Sequence, residues 1–370
     1  MIMSRFLSQK LRFFTFLCIA LLVYVHGYNL KVAYLSPVSN VQEPLTLTTF
    51  FEYIFANGLL RFRIPMLFMI SGYLYAWYDN KPYIERTKNR FVTLIIPYLI
   101  WSAIGLLVTF VLQLFPVTAK AVFNSQLDQL GDNRLYSEIG WGGIIRRWLF
   151  VPISFQLWFI FALFIYNVAY PALRWMVLKI PYVWFPVSFL LWFTYFNIYF
   201  IEGQGLFYFS VGIWLQKKNI SLEHRPKWFA QGLFWIFFIG ICIIKTFMAF
   251  ELEPGSTVTF YTLWLLYNFA SIAGIIAVWY GADPLVKRCM KQKWFSKASS
   301  FSFFIYGFHI PLMAYLMRLA FMYLHNLPNY RLLCYLLVPA FIVLLCISLA
   351  SLIRRIAPSV YKVMTGGRGL

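Results

Sequence analysis

The sequence predicts an all-α protein, a polytopic bundle of about ten transmembrane helices with both termini cytoplasmic. Three observations support this fold class. The chain is 61% hydrophobic and only 12% charged, whereas soluble domains are about 45–50% apolar and about 25% charged. Its apolar residues form long unbroken runs without the period-2 alternation of a barrel strand. Its Lys and Arg lie between these runs and do not gather on one face, so the net charge of +20 does not indicate nucleic-acid binding.

Each long apolar run predicts a helix, because backbone amides in lipid must bond within their own segment. About 20 helical residues cross the hydrocarbon core. The predicted spans, in chain order, are 13–28, 56–78, 91–115, 156–178, 182–201, 203–216, 230–250, 259–281, 300–324 and 331–353.

The first span follows Arg5, Lys10 and Arg12, an arrangement that also suits a signal peptide. The residues after it offer no convincing small-residue cleavage site, so we expect a retained helix. The span at 203–216 is short and contains three glycines. Removing it would place the later basic clusters on the outer side.

Charge placement sets the orientation, since cytoplasmic loops carry the excess of Lys and Arg. Most of the 32 basic residues fall in the N-terminal segment, the even-numbered loops and the C-terminal segment when the N-terminus is inside. The longest loop, about 116–150, is then an external cap. No repeat or flexible linker divides the chain, so we predict a single domain over 1–370.

The five cysteines stand singly, and no pair of histidines has the i,i+4 spacing of a metal site. We therefore expect no disulfide framework, no bound metal and no permanently bound cofactor.

Ionisable groups inside membrane helices are functional-site candidates, because burying them in lipid is costly. His26 lies near the outer end of the first predicted span, and Arg61 and Arg63 lie near the start of the second. The two spans run in opposite directions, so His26 and Arg61 should lie at similar depth. Interfacial solvation of His26 and snorkelling of one arginine remain open alternatives.

His309 lies in the ninth predicted span, where Ser302, Tyr306 and His309 share a helix face by their spacing. These side chains would hydrogen-bond each other or a substrate, and a packing network is an equal alternative. Arg318 is an expected interfacial anchor. Carboxylates are absent from the deep parts of the spans, with only Glu52 near the outer approach to the second. This argues against a proton pump or ion-coupled carrier, since these proteins usually need carboxylates within the membrane.

Several motifs in order resemble the acyltransferase-3 family of membrane O-acyltransferases. The first span ends in a histidine, as FTFLCIALLVYVH over 14–26, and RFRIPMLFMISGY over 61–73 is similar to the family signature R-x3-P-x-F-F-x-x-S-G-Y. The later landmarks are RFVTLIIP over 90–97, LWF over 157–159, FYF over 207–209 with Gly212, and SFFIYGFHIPL from Ser302.

The resemblance implies acyl transfer, commonly of acetyl from acetyl-CoA, to a hydroxyl of an envelope polysaccharide or lipid-linked glycan, by an enzyme of the cell inner membrane. His26 would act as general base or transient acyl carrier, and Arg61 would stabilise the oxyanion. The other implied substrate-binding residues are Arg12, Arg63, Ser71, Tyr73, Trp158, Tyr306 and His309. The basic residues over 81–90 would attract the phosphates of coenzyme A, although cytoplasmic orientation alone would also explain them.

The chain departs from the family pattern eleven positions before His26, where it has Thr15 and not a basic residue. Arg12 lies one turn earlier on nearly the same face and would partly substitute. Two alternatives to an active acyltransferase remain: a flippase for lipid-linked sugars, and a catalytically diverged protein that only binds glycan.

Overall fold

The computed structural model describes residues 3–27, 36–132, 134–223 and 225–369. The described chain is mostly helical, and its β-structure is one two-stranded antiparallel hairpin in which Asn197 pairs with Glu202. The predicted all-α class is therefore confirmed in its main feature.

The first half of the chain forms helices joined by short turns, with two π-helical segments and one 3₁₀ turn. In order these are α1 (Arg5–His26), α2 (Leu47–Tyr53), a π-helix (Ile54–Leu59), α3 (Arg63–Trp77), α4 (Tyr83–Arg90), a π-helix (Phe91–Ile95), α5 (Ile96–Gln113), α6 (Pro116–Ser125), α7 (Trp141–Leu149), a 3₁₀ turn (Phe155–Leu157), α8 (Trp158–Val168) and α9 (Tyr170–Lys179).

The second half contains the hairpin and the longest helices. These elements are α10 (Pro181–Phe193), β1 (Asn197–Ile198), β2 (Ile201–Glu202), α11 (Gly203–Lys217), α12 (Gln231–Glu251), α13 (Thr257–Gly281), α14 (Asp283–Lys291), α15 (Lys293–Ser299), α16 (Ser302–Leu324), α17 (Tyr330–Ile356) and α18 (Pro358–Thr365).

Within the described residues, seven helical stretches are long and apolar enough to cross a membrane, as expected of a multi-pass membrane protein. An eighth is counted if α8 and α9, bent by 65° relative to each other, form one span. The seven are Arg5–His26, Leu47–Trp77, Tyr83–Gln113, Gln231–Glu251, Thr257–Gly281, Ser302–Leu324 and Tyr330–Ile356.

The other three predicted spans form shorter or bent helices. The span predicted at 156–178 bends after Val168, because Pro171 in the first turn of α9 has no amide hydrogen to continue the preceding helix. The span predicted at 182–201 ends as a helix at Phe193, and the hairpin takes its last residues. The span predicted at 203–216 is helical over 15 residues.

The chain divides into two units, each with its own internal packing. The first consists of 1–86 and 165–299, and the second of 87–164 and 300–370.

In the first unit, α3 and α11 pack with their backbones in close approach. A Cβ built on Gly72 would lie 2.1 Å from the carbonyl oxygen of Phe209, and one built on Gly212 would lie 2.1 Å from the carbonyl oxygen of Met69. Small residues at such crossings allow membrane helices to approach closely. The glycines of two of the sequence motifs are therefore required for helix packing.

Replacing Gly72 with Ala is expected to destabilise the protein by about 1–3 kcal/mol or more, because the added methyl meets backbone that cannot move aside. The measurement is the thermal unfolding midpoint of the purified protein in detergent. Gly240→Ala is the matched control, since Gly240 lies inside α12 with nothing within 4 Å of an added Cβ. Equal stability of the two variants would contradict this packing role.

Just after the C-terminal end of α3, Asp79 connects α9 and α11. Its carboxylate lies 2.6 Å from Lys217 Nζ and 3.2 Å from Arg174 Nε, and it accepts a hydrogen bond of 2.7 Å from the Tyr170 hydroxyl. Burial acts to raise the pKa of Asp79, but the hydrogen bonds from Lys217 and Tyr170 and the nearby cations outweigh it. The pKa of this carboxyl is therefore lower than usual.

Asp79→Asn is expected to lose about 1–3 kcal/mol of stability. This is less than for a fully buried ion pair, because the ion pairs of Asp79 are partly exposed to solvent. A depressed pKa contributes stability above the unfolded-state pKa of about 4, and this is lost as pH falls through the folded-state value. Unfolding midpoints from pH 7 to pH 3 should fall more steeply for wild type than for the variant. Glu85→Gln, at an exposed pair 3.7 Å from Lys81, is the control and should change little.

In the second unit, α16 is interrupted at Ile310, whose φ of −109° and ψ of 137° are not helical. Pro311 follows and has no amide hydrogen for the carbonyl of Gly307. Gln156 Nε2 donates to that carbonyl at 3.3 Å, and Ser154 Oγ donates to the carbonyl of Ile310 at 2.9 Å. The segment just before α8 thus satisfies the backbone groups released at the break.

The longest predicted loop, 116–150, contains α6 and α7 and is held by a buried ion pair. Arg147 Nη2 lies 2.7 Å from the carboxylate of Asp128 and 3.5 Å from that of Asp132. Hydrogen bonds from Arg134 are the main reason that the pKa of Asp132 lies well below its usual range. The cap predicted from the sequence is an ordered structure in its own right.

Candidate active site

α1, which ends in His26, packs on α3 and on the π-helix that precedes Arg61, and the depth match between His26 and Arg61 stays a prediction. Cys18 Sγ lies 3.8 Å from Met66 Sδ, which sets the register of the two helices. The predicted opposite directions of the two spans would place His26, eight residues or about 12 Å of helix beyond Cys18, level with the residue eight positions before Met66. That level is the π-helix Ile54–Leu59, on which α1 also packs.

Arg61 follows this π-helix directly and bonds back to it. Its Nη2 donates to Oδ1 of Asn57, which is fully buried. The segment's amide hydrogen bonds reach back five residues, as in Leu60 N to Phe55 O at 3.0 Å. Such π-helical insertions recur at functional sites because they re-aim side chains.

Lys245 is a polar residue here that the sequence analysis missed. It lies in α12 with 0% exposure, and its Nζ donates to the carbonyl of Asn57 at 2.9 Å and to the Tyr53 hydroxyl at 3.2 Å. Lys245 and Arg61 therefore both hold Asn57. The available signal was a single Lys five residues before the end of the apolar run 230–250, and the high overall hydropathy of that run obscured it.

The polar cluster extends to α11 and α13. Gln204 Nε2 donates to the Tyr267 hydroxyl at 2.6 Å, and that hydroxyl is within electrostatic reach of both Arg61 and Glu202. Glu202 precedes α11, and its Oε1 is buried without a hydrogen-bond partner. The sequence analysis singled out neither Gln204 nor Glu202, because each lies at the boundary between two predicted spans.

The other predicted residues of α3 lie apart from this cluster. Arg63 is buried, and its Nη1 donates to the carbonyl of Leu60 at 2.7 Å. Ser71 and Tyr73 come ten and twelve residues after Arg61, about 15–18 Å along a helix. Tyr73 is buried beside Trp77, with ring centroids 5.9 Å apart. Their predicted contact with substrate would therefore be at another depth.

Arg12 is exposed in the N-terminal part of α1, and its Nη2 donates to the carbonyl of Ser296. Fourteen residues, about 21 Å of helix, separate it from His26. The buried cation on this part of α1 is Lys10, whose Nζ lies 2.6 Å from the carboxylate of Asp283. The Thr15 hydroxyl donates to the carbonyl of Leu11 at 2.8 Å.

The inner basic cluster over 81–90 is partly used for packing. Arg86 is buried, with its guanidinium carbon 3.9 Å from the ring centroid of Tyr75 and its Nη2 donating to the carbonyl of Tyr75 at 2.6 Å. Lys88 is exposed and Arg90 is half-buried. These two remain as candidates for contact with phosphate.

Trp158, Tyr306 and His309 lie in the second unit. The Tyr306 hydroxyl donates to the carbonyl of Gln156, and the ring of Phe159 lies 6.0 Å from that of Trp158 and 6.2 Å from that of Tyr306. Nδ1 of His309 lies 3.0 Å from the carbonyls of residues 305 and 306, and so carries the proton donated to them. The Tyr306 hydroxyl and His309 Nδ1 thus bond to backbone carbonyls.

Among the described residues, no group of three or more His, Cys, Asp or Glu side chains is placed to hold a metal ion. None of the five cysteines forms a disulfide bond.

Residues 9–353 match the family described as an acyltransferase domain. The chain is also 26% identical over 332 residues to the succinoglycan biosynthesis protein ExoH of Rhizobium meliloti (strain 1021), an alignment that covers 84% of this chain and 80% of that protein. No solved structure matches it.

Proposed function

Because this chain belongs to the acyltransferase domain family, with nearly its whole length matched, we propose that it moves an acyl group from acyl-CoA to a hydroxyl of an envelope polysaccharide or its lipid-linked precursor. Transfer of acetyl is the simplest case. The relative named for succinoglycan biosynthesis supports a polysaccharide acceptor. The observation that carries the proposal is the contact of α1, which ends in His26, with the π-helical segment Ile54–Leu59 that precedes Arg61.

The proposed reaction needs a base for the acceptor hydroxyl, since an alcohol is a poor nucleophile near neutral pH. His26 accepts the hydroxyl proton as the oxygen attacks the thioester carbonyl carbon. The carbon–sulfur bond then breaks, and the coenzyme A thiolate takes up a proton. In the alternative route, His26 carries the acyl group transiently before passing it to the hydroxyl.

Attack on the thioester develops negative charge on the carbonyl oxygen, and fixed donors in a dry site stabilise that charge strongly. We assign this role to Arg61, which Asn57 orients. Lys88 and Arg90 at the inner face would attract the phosphates of coenzyme A.

The proposed topology has ten spans: the seven long helices, the bent pair α8 and α9 as one span, and α10 and α11 as one span each. Both termini would be cytoplasmic, and the membrane would be the cell inner membrane. The basic clusters support this orientation. His26 would then lie toward the outside and coenzyme A inside, so the acyl group would cross the bilayer through the protein to an externally presented acceptor. We propose that the whole chain acts as one domain.

The direct test uses the purified full chain in lipid nanodiscs with labelled acetyl-CoA and the producing cell's own polysaccharide. We expect label in the polysaccharide together with stoichiometric release of free coenzyme A. Movement of lipid-linked saccharide without thioester consumption would instead identify a flippase. Glycan binding with no transfer, unchanged in Thr15→Arg, would identify a catalytically diverged protein.

A further inference from the structure

Lys245 is a fully buried lysine whose hydrogen-bond partners are neutral. It has 0% exposure, and its two acceptors are the Asn57 carbonyl at 2.9 Å and the Tyr53 hydroxyl at 3.2 Å. No carboxylate pairs with Lys245 in the described part of the chain. Lys10 is equally buried but lies 2.6 Å from the carboxylate of Asp283. Of these two buried lysines, only Lys10 has its charge compensated by a carboxylate.

A second cation and an unused donor lie beside it. Arg61 donates to Asn57 Oδ1 and is within electrostatic reach of Lys245. A guanidinium only donates, so the side-chain oxygen of Asn57 must be the atom that faces Arg61. Nδ2 of Asn57 therefore faces elsewhere, and it is buried with no acceptor. An ammonium has three N–H donors, and two of those on Lys245 are used.

An uncompensated charge of this kind costs several kcal/mol in a low-dielectric interior, and a neighbouring cation increases the cost. An anionic oxygen group would compensate the charge and accept from the unused donors. We propose that Lys245, Asn57 and Arg61 form a subsite that binds an anionic oxygen group of the substrate, a carboxylate or a phosphate.

This inference deepens the proposed function and rests on it for the identity of the substrate. The anionic group has two chemical sources in that reaction. One is a free carboxylate at the far end of an acidic acyl group, and the other is the phosphate that links a glycan precursor to its lipid. The first would make the enzyme selective for an acid-bearing acyl thioester, and the second for a lipid-linked acceptor.

The test measures binding directly and needs no acyl transfer. The full chain in nanodiscs of phosphatidylcholine is unfolded thermally with added succinate or inorganic pyrophosphate, at matched ionic strength. We expect at least one anion to raise the unfolding midpoint of wild type by a few degrees, and neither to do so in Lys245→Met. Lys10→Met is the matched control and should keep the shift.

A shift with succinate alone indicates the carboxylate source, pyrophosphate alone the phosphate source, and both a subsite that accepts either. Absence of any shift in wild type, or a shift that persists in Lys245→Met, overturns the proposal. Asn57→Asp provides a second variant, since its carboxylate would occupy the subsite from within and should also abolish the shift.

Stability without added anion gives an independent readout. Lys245→Met should unfold at a higher temperature than wild type, because it removes a buried charge that lacks a counter-charge. Lys10→Met should unfold at a lower temperature, because it leaves Asp283 unpaired. If Lys245→Met were instead less stable than wild type, the lysine would serve packing and the proposal would be overturned.

The transfer assay separates this inference from the proposed function. If the carboxylate is the ligand, Lys245→Met should lower transfer from succinyl-CoA about tenfold or more relative to transfer from acetyl-CoA. If the protein binds the anion but shows no thioester-dependent transfer, the subsite proposal is supported and only the acyltransferase assignment is contradicted.

Discussion

Replacing His26 with Ala is expected to lower acyl transfer about 10²–10⁴-fold, the usual contribution of a positioned general base. The imidazole ends α1 at the level of the π-helix that leads into Arg61, where an acceptor hydroxyl would meet the thioester. The measurement is the rate of label transfer from acetyl-CoA to polysaccharide by purified protein in nanodiscs. If His26 carries the acyl group covalently, quenching the reaction during turnover of labelled acetyl-CoA should leave label on the wild-type protein and not on His26→Ala.

His325→Ala is the matched control. This histidine also lies at a helix end, following α16, but it is exposed, and its Nδ1 donates to the carbonyl of Met322 at 3.0 Å. His325→Ala should transfer acyl groups at the wild-type rate. Equal rates for wild type and His26→Ala would remove His26 from the chemistry.

Replacing Arg61 with Met is expected to lower kcat about 10²–10³-fold with a smaller change in KM, because an oxyanion donor acts mainly in the transition state. Arg61→Lys should recover part of the loss, since the charge returns without the paired donors of the guanidinium. Both variants keep a long aliphatic stem, although Arg61→Met loses the hydrogen bond to Asn57 Oδ1. Initial rates over a range of acyl-CoA concentrations separate the two constants.

Arg318→Met is the comparison for Arg61, because Arg318 is a half-buried arginine in the C-terminal half of another long helix. It should leave kcat within about twofold if the loss at position 61 is specific. A loss expressed only in KM at position 61 would indicate ground-state binding and would contradict the oxyanion role.

Hydropathy and charge placement predicted the helical class and the approximate positions of the long spans. They could not locate the break at Phe193 or the π-helix over 54–59, because both depend on tertiary contacts that override local apolarity. A sliding window measures how apolar a segment is, and not whether its backbone continues as a regular helix. The structure therefore has the shorter helices α10 and α11 where hydropathy predicted two full spans.

The candidate site was predictable in part. The expected opposite directions of two neighbouring spans predict a common level for His26 and Arg61, and the structure shows that α1 contacts both α3 and the π-helix before Arg61. Lys245 could not be assigned from sequence, because its contact with Asn57 joins residues 188 positions apart.

The glycine motifs were predictable as motifs but not as packing residues. Gly72 and Gly212 each approach the backbone of the opposing helix, a contact that exists only after α3 and α11 have met. A motif resemblance therefore combined residues of the candidate site with residues that hold the helices together. The structure separates the two sets by what each one touches.

The most direct measurement of the central claim is the mass of the envelope polysaccharide from cells that lack this protein. We predict loss of one acyl ester mass in the deletion strain, restoration by the wild-type chain, and no restoration by His26→Ala at equal membrane abundance. An unchanged ester content after deletion, or full restoration by His26→Ala, would contradict the account.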